Sequence, residues 1–424
     1  MISGPRAAYN SPMSVFVKPF AALRPDAEHA AAVVAPPYDV VSADEARELV
    51  VGRPNSFLHI SRPEIEFIPG TDPYSNEVCE RAGENLKRLK TLGLLVRDTA
   101  PAYYIYELKM GKHEQTGVAL TVSVDAYQNN RVRKHELTRP TKEDDRVRNM
   151  LSLNAQTGPV LSVHRADKSV KELLARLKTE PALFEVSGQH DVLHTIWRVD
   201  EANPIAAISA AFERMPAIYI ADGHHRSAAA ARVANERRSP QRPTTESHDY
   251  FLTVVFPDDE VRIFDYNRVV RDLNGLSVSD LLQRLAENFD VTSSEDSVAP
   301  PEPSTFGMFV DDQWYRLELR EELIPTSDPV ARLDVSLLQD RILTPLLGVG
   351  DQRTDPRIDF VGGVRGLGEL EHRVRSGEQA VAFSLFPTGM DQLMAVADTG
   401  ELMPPKSTWF EPKLADGLLS HVLD

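Results

Sequence analysis

The chain has 424 residues, with 47 Lys and Arg against 63 Asp and Glu, for a formal net charge of −16. That balance argues against a general nucleic-acid binder, which needs a dense Lys/Arg surface, and no apolar run approaches the ~18–20 residues of a membrane-spanning helix. Cys79 is the single cysteine, which excludes an internal disulfide and a cysteine-based zinc cluster. The length exceeds one ordinary core and predicts two or three domains.

Hydrophobic content of 42% and charged content of 26% are those of a globular protein, expected in the cytoplasm. The start, "MISGPRAAYNSPMSVFVKPF", lacks the layout of a signal peptide and reads as a flexible leader. Ser42, with Glu45 three residues on, has capping-box spacing for a helix in "SADEARELV". "NSFLHISRPE" reads as a strand entering a loop, and "YSNEVCERAGENLKRLKTLGLL" as an amphipathic helix ending near Gly93. "AYYIYELKM", a turn at Gly111–Lys112, "QTGVALTVSVDAY" and a turn at Asn129–Asn130 suggest a meander. "GPVLSVH", "HTIWRVD" and "AIYIAD" read as strands among the helices "KSVKELLARLKTE" and "PIAAISAAFERM". The polar "NERRSPQRPTTESHD" reads as a loop, and "YFLTVVFP" and "VRIFDYNRVV" as two further strands. After a helix at "VSDLLQRLAENF", "SSEDSVAPPEPST" has the composition of a linker or long loop. A strand pair, "TFGMFV" and "WYRLELR", then precedes a helix at "DVSLLQDRILTPLL". Interleaved strands and helices with several hairpins define an α+β, or mixed α/β, class.

Three polar constellations stand out. In "YIADGHHRSAAAARVANERR" a strand meets an Ala-rich helix through Asp222, Gly223, His224, His225 and Arg226. Free N–H groups and the positive dipole end meet at such a junction, Arg226 adds a fork of donors, and Gly223 permits a tight turn. This is anion-site architecture, most naturally for phosphate. Zinc is a weaker reading, because adjacent histidines on a helix point about 100° apart. A plain helix cap by Asp222 is the bland alternative.

"KHELTRPTKEDDR" holds Lys134, His135, Glu136, Arg139, Lys142, Asp144, Asp145 and Arg146. Glu136 beside cations suits a general base, although a charge run taken alone is more often a solvated face. In "MPPKSTWFEPKL" two prolines stiffen the approach to Lys406, Ser407 and Thr408, with Lys413 following. A Lys with two hydroxyls can clamp phosphate; an exposed loop pinned by Trp409 and Phe410 is as good a reading. "APPYDVVS" (Tyr38, Asp39), "SRPE" (Arg62, Glu64) and the glycine-rich 348–363 are weaker cleft candidates.

Together the motifs resemble those of the ParB-like free L-serine kinases, which make O-phosphoserine. Asp222-Gly223-His224-His225-Arg226 resembles their DGHHR signature, His135-Glu136 their His-Glu pair, and Pro405-Lys406-Ser407-Thr408 their Pro-Lys-Thr-Thr element. Most of the chain also resembles a prokaryotic domain-of-unknown-function family ending in PPKST-F-PK. The resemblance implies a ParB/sulfiredoxin-like core at 101–290, a 1–100 N-terminal α+β segment, and a 300–424 segment completing the site. It implies phosphoryl transfer to free L-serine or a similar acceptor from ADP, ATP or pyrophosphate, with Mg2+. Glu136 would be the base, assisted by His135 and by Asp222, which would also hold Mg2+. Gly223, His224, His225, Arg226, Lys406, Ser407 and Thr408 would bind the donor, and Arg139, Lys142, Asp145, Arg146 and Lys413 would add substrate or phosphate contacts. The other classes are a ParB-like nucleotide-binding, DNA-associated module and a metabolite sensor without catalysis.

Overall fold

A computed structural model describes residues 15–238 and 246–424. The chain divides into two compact units. The first comprises residues 1–133, 137–261 and 412–424; the second comprises 134–136 and 262–411. Both mix helices and strands, as the interleaved pattern requires.

In the first unit, nine strands among the described residues form one mixed sheet. At one edge Val132–Arg133 runs parallel to Ile218–Asp222, which is antiparallel to Val160–His164; that strand is parallel to Tyr250–Pro257. Antiparallel pairing then leads through His113–Ser123, Tyr103–Met110 and Leu193–Val199 to Phe184–Ser187. The strands are rich in Val, Ile, Tyr and Phe and mostly buried. Helices Pro140–Leu153 and His224–Arg237 pack on each other, and the small Ala228–Ala231 face of the latter is buried. A second, four-stranded sheet joins Val96–Arg97, Ala22–Arg24, Ser420–Val422 and Ala155–Gln156.

The second unit holds a six-stranded antiparallel sheet in the order Phe289–Ser294, Gln313–Leu319, Thr305–Val310, Val381–Leu385, Tyr266–Val270 and Ile358–Gly362. A separate two-stranded ribbon pairs Arg262–Phe264 with Trp409–Glu411.

Several expectations hold locally. Ser42 and Glu45 close a full capping box on Ala43–Leu49, and the amphipathic helix spans Asn76–Thr91, followed by Gly93 at φ 73°. Others need correction. The 55–64 stretch is a short helix, Leu58–Ser61, followed by a 3-10 turn at Pro63–Glu66. Phe57, Leu58, Ile60 and Ser61 are buried at helical rather than alternating spacing.

The meander stops after two strands. Ser123 caps a helix at Val124–Gln128, and the next strand pairs parallel with Ile218–Tyr219. "VRIFDYNRVV" breaks at Asp265 into two strands that join different sheets. The 293–305 stretch is a loop within one sheet, pinned by buried Val298. The helix expected over 334–347 is α-helical only at Asp334–Leu338 and continues as a π-helix over Gln339–Leu343. Of the expected leader, Val17–Lys18 is a strand with buried Phe16 beside it; residues 1–14 lie outside the described residues. So do residues 239–245 of the polar loop, whose start belongs to His224–Arg237.

Candidate active site

The strand Ile218–Asp222 ends on a register shift between Ile220 and Asp222, beyond which Asp222 pairs with Leu161 at the strand's C-terminal end. Gly223 follows at φ 98°, the left-handed N-cap of His224–Arg237, and supplies no capping side chain. A Cβ here would sit 3.1 Å from Arg226 Nε and 3.3 Å from Val160 Cα, so only glycine fits both conformation and space. Asp222 does not cap the helix. Its Oδ2 accepts from Lys413 Nζ at 3.0 Å, and its Oδ1 lies 4.0 Å from Arg226 Nη2. Burial raises its pKa, but Lys413 and Arg226 outweigh that and hold the carboxyl well below the usual range.

Arg226 is buried. Its Nη1 donates to the Pro159 carbonyl, and Nη2 lies 3.6 Å from Asp39 Oδ2. The guanidinium therefore builds the site from behind, instead of standing open as a free fork. Arg146 is similarly engaged: it donates to Asp145 Oδ2 from Nε at 2.8 Å and Nη2 at 2.6 Å. Its guanidinium stacks 3.7 Å from the Tyr38 ring centre. Burial pushes the Tyr38 hydroxyl pKa up, so it remains protonated at neutral pH.

Asp416 completes the cluster. It is buried, its backbone exchanges hydrogen bonds with Ala35, and its Oδ1 has no hydrogen-bond partner among the described residues. Burial lifts its pKa to about 7, against the pull of Arg226. His224 is buried and His225 half-buried; burial lowers the His225 pKa, which favours the neutral ring. Arg139 and Lys142 are exposed at the start of Pro140–Leu153. In sum, the first unit gathers Asp222, Arg226 and Lys413 with Asp39 and Asp416, and sets Asp145 and Arg146 beside Tyr38.

Sequence reasoning ranked Tyr38 and Asp39 low and missed Asp416. One signal was readable: Ala-Asp-Gly occurs at 221–223 and again at 415–417, each glycine having positive φ.

The other motif residues lie in the second unit. The His135 carbonyl accepts from Met403 N–H at 2.8 Å, which sets the His-Glu segment beside the 403–408 loop. Glu136 is exposed. Lys406 is exposed at φ 58°, with Nζ 5.5 Å from the Tyr266 ring centre. Ser407 is buried; its hydroxyl donates to the Pro404 carbonyl at 2.6 Å, and its own carbonyl accepts from Thr388 at 2.9 Å. Ser407 thus fixes the turn.

This mixed α/β chain with a charged strand–turn–helix site belongs to the family described as "Protein of unknown function (DUF1015)", whose model matches residues 17–336. Among curated proteins no relative matches the chain. Three solved structures show a distant likeness. A free serine kinase in complex with AMP is 12% identical, with TM-score 0.35, covering 72% of this chain and 89% of that one. A conserved hypothetical protein from Pyrococcus furiosus is 15% identical, with TM-score 0.35 and coverage of 71% and 94%. SbnI from Staphylococcus aureus, truncated at its C-terminus, is 12% identical, with TM-score 0.37 and coverage of 70% and 85%.

Proposed function

We propose that the chain is a small-molecule phosphotransferase, with a ParB/sulfiredoxin-like core within 101–290, that phosphorylates the hydroxyl of free L-serine or a close analogue. The observation that carries this reading is the Asp222–Lys413 pair at the uncapped start of His224–Arg237. Lys413 and the helix dipole favour a phosphate there, and Asp222 stays ionised beside them. The three motifs in kinase-like order support the same reading. Phosphoryl transfer depends on positioning and charge stabilisation, which suits a cluster rich in cations and donors.

Glu136 takes the proton of the acceptor hydroxyl. His224 and His225 donate to the transferring phosphate, Arg226 holds Asp222 and Asp39 in place, and Lys406 and Thr408 contact the donor's remaining phosphates. Asp222 would also hold a Mg2+ that arrives with the donor and offsets phosphate charge. The donor is ADP, ATP or pyrophosphate.

The test is incubation of the full chain with L-serine, Mg2+ and each donor in turn, read by phosphorus NMR or mass spectrometry. O-phosphoserine with at least one donor is expected. Its absence with all three overturns the serine assignment.

A further inference from the structure

Arg268 is the largest fully buried side chain among the described residues, at 0% exposure. Its Nη1 donates to the Tyr266 carbonyl and its Nη2 to the Pro405 carbonyl at 3.3 Å, while Nε has no partner among the described residues. The guanidinium also lies 5.1 Å from the Phe360 ring centre and 6.0 Å from that of Tyr266. Unlike Arg146 and Arg226, it has no carboxylate of its own unit at ion-pair distance among the described residues. The nearest acid along the strand, Asp265, accepts from Asn267 Nδ2 at 2.5 Å instead.

Burying a cation without a counter-ion is costly. What Arg268 holds is the carbonyl of Pro405, directly before Lys406. Lys406 occupies the left-handed region, a strained conformation for a lysine, and itself has no carboxylate of its unit within ion-pair distance among the described residues. The turn therefore carries an exposed ammonium at Lys406 and is held through the Pro405 carbonyl by a buried guanidinium, both near the Tyr266 ring.

We infer that Arg268 is the fixed counter-charge of a phosphate or pyrophosphate anion that docks on the 404–408 turn, with Lys406 and Thr408 as the touching groups. Lys406 suits phosphate as a compact point charge, and Arg268, sealed from solvent, acts as a positioning residue by orienting the turn and keeping it electropositive. This rests on the reading that Lys406 and Thr408 contact a donor's phosphates, but not on any turnover.

The experiment is calorimetric titration of the full chain with inorganic pyrophosphate at fixed ionic strength. ADP forms a second arm and sulfate a control. Arg268→Met is expected to weaken pyrophosphate binding by about tenfold or more, beyond any fall in melting temperature from the two carbonyls it leaves without a donor. Arg268→Lys should recover part of the affinity, and Lys406→Ala should weaken binding with no change in melting. Equal losses for ADP and pyrophosphate show that the shared diphosphate group is read; loss for ADP alone assigns the site to the nucleoside and overturns the inference. Unchanged pyrophosphate affinity in Arg268→Met or Lys406→Ala, or no pyrophosphate binding by the parent chain, also overturns it. If Arg268→Met does not fold, a folded Arg268→Lys chain without affinity overturns it as well. Intact pyrophosphate binding without any O-phosphoserine defeats the kinase reading alone.

Discussion

Lys413 Nζ stands 3.0 Å from Asp222 Oδ2 across 191 residues of chain, with side-chain exposures of 17% and 29%. The pair lies at the head of an uncapped helix, so removing one member leaves the other facing an unbalanced field.

Lys413→Met should therefore lower stability by about 1–3 kcal/mol, below the ~3–5 of a fully buried pair because solvent screens part of it. Asp222→Asn should cost a similar amount, and the double variant less than the sum. Urea denaturation of the four chains measures the coupling; strict additivity would show that the pair contributes nothing.

Gly223→Ala should destabilise by about 1–3 kcal/mol, since a Cβ at φ 98° is strained and meets Arg226 and Val160. Phosphoryl transfer should fall further than stability explains, because Arg226 must shift. A chain that melts like the parent would contradict the reading of this turn.

Asp416 carries a pH signature. Its folded pKa of about 7 lies above the ordinary value of 3.8, so the folded chain binds the extra proton between those limits. Its contribution is fully present below about pH 4 and is lost as pH rises to about 7. Asp334, raised by burial to about 7, acts in the same direction. Buried His194 and His421, lowered to about 3 and about 4, oppose both, because they resist protonation in the folded chain. Asp416→Asn should accordingly stabilise the protein more at pH 8 than at pH 5, read from melts at both values. An equal effect at both would mean that the carboxyl titrates normally.

Glu136→Gln should abolish O-phosphoserine formation while leaving the melting temperature within about 1 °C, since the side chain is exposed. Retained turnover would remove Glu136 as the base.

What could be read ahead of the structure was local. The strand–Asp-Gly–helix passage is contiguous, and its Ala face, its glycine and its polar residues all follow from neighbours in the chain. The capping box at Ser42 is legible for the same reason. Tyr38 and Asp416 belong to the site only because Ala35 bridges Asp416, a pairing of loops that no periodicity encodes. The Leu58–Ser61 helix was misread because a single turn leaves too little pattern to separate from a strand. The competition for Arg226 among Pro159, Asp39 and Asp222 is likewise a matter of tertiary geometry.

The first unit closes with Pro412–Asp424, whose strand Ser420–Val422 pairs with Ala22–Arg24 and Ala155–Gln156. During synthesis this segment leaves the ribosome only after residues 262–411, so the first unit waits, incomplete, while the second emerges. Lys413 and Asp416 arrive with that last segment. A nascent or prematurely ended chain thus lacks two charges of the cluster, and the site comes into being only once translation has passed it.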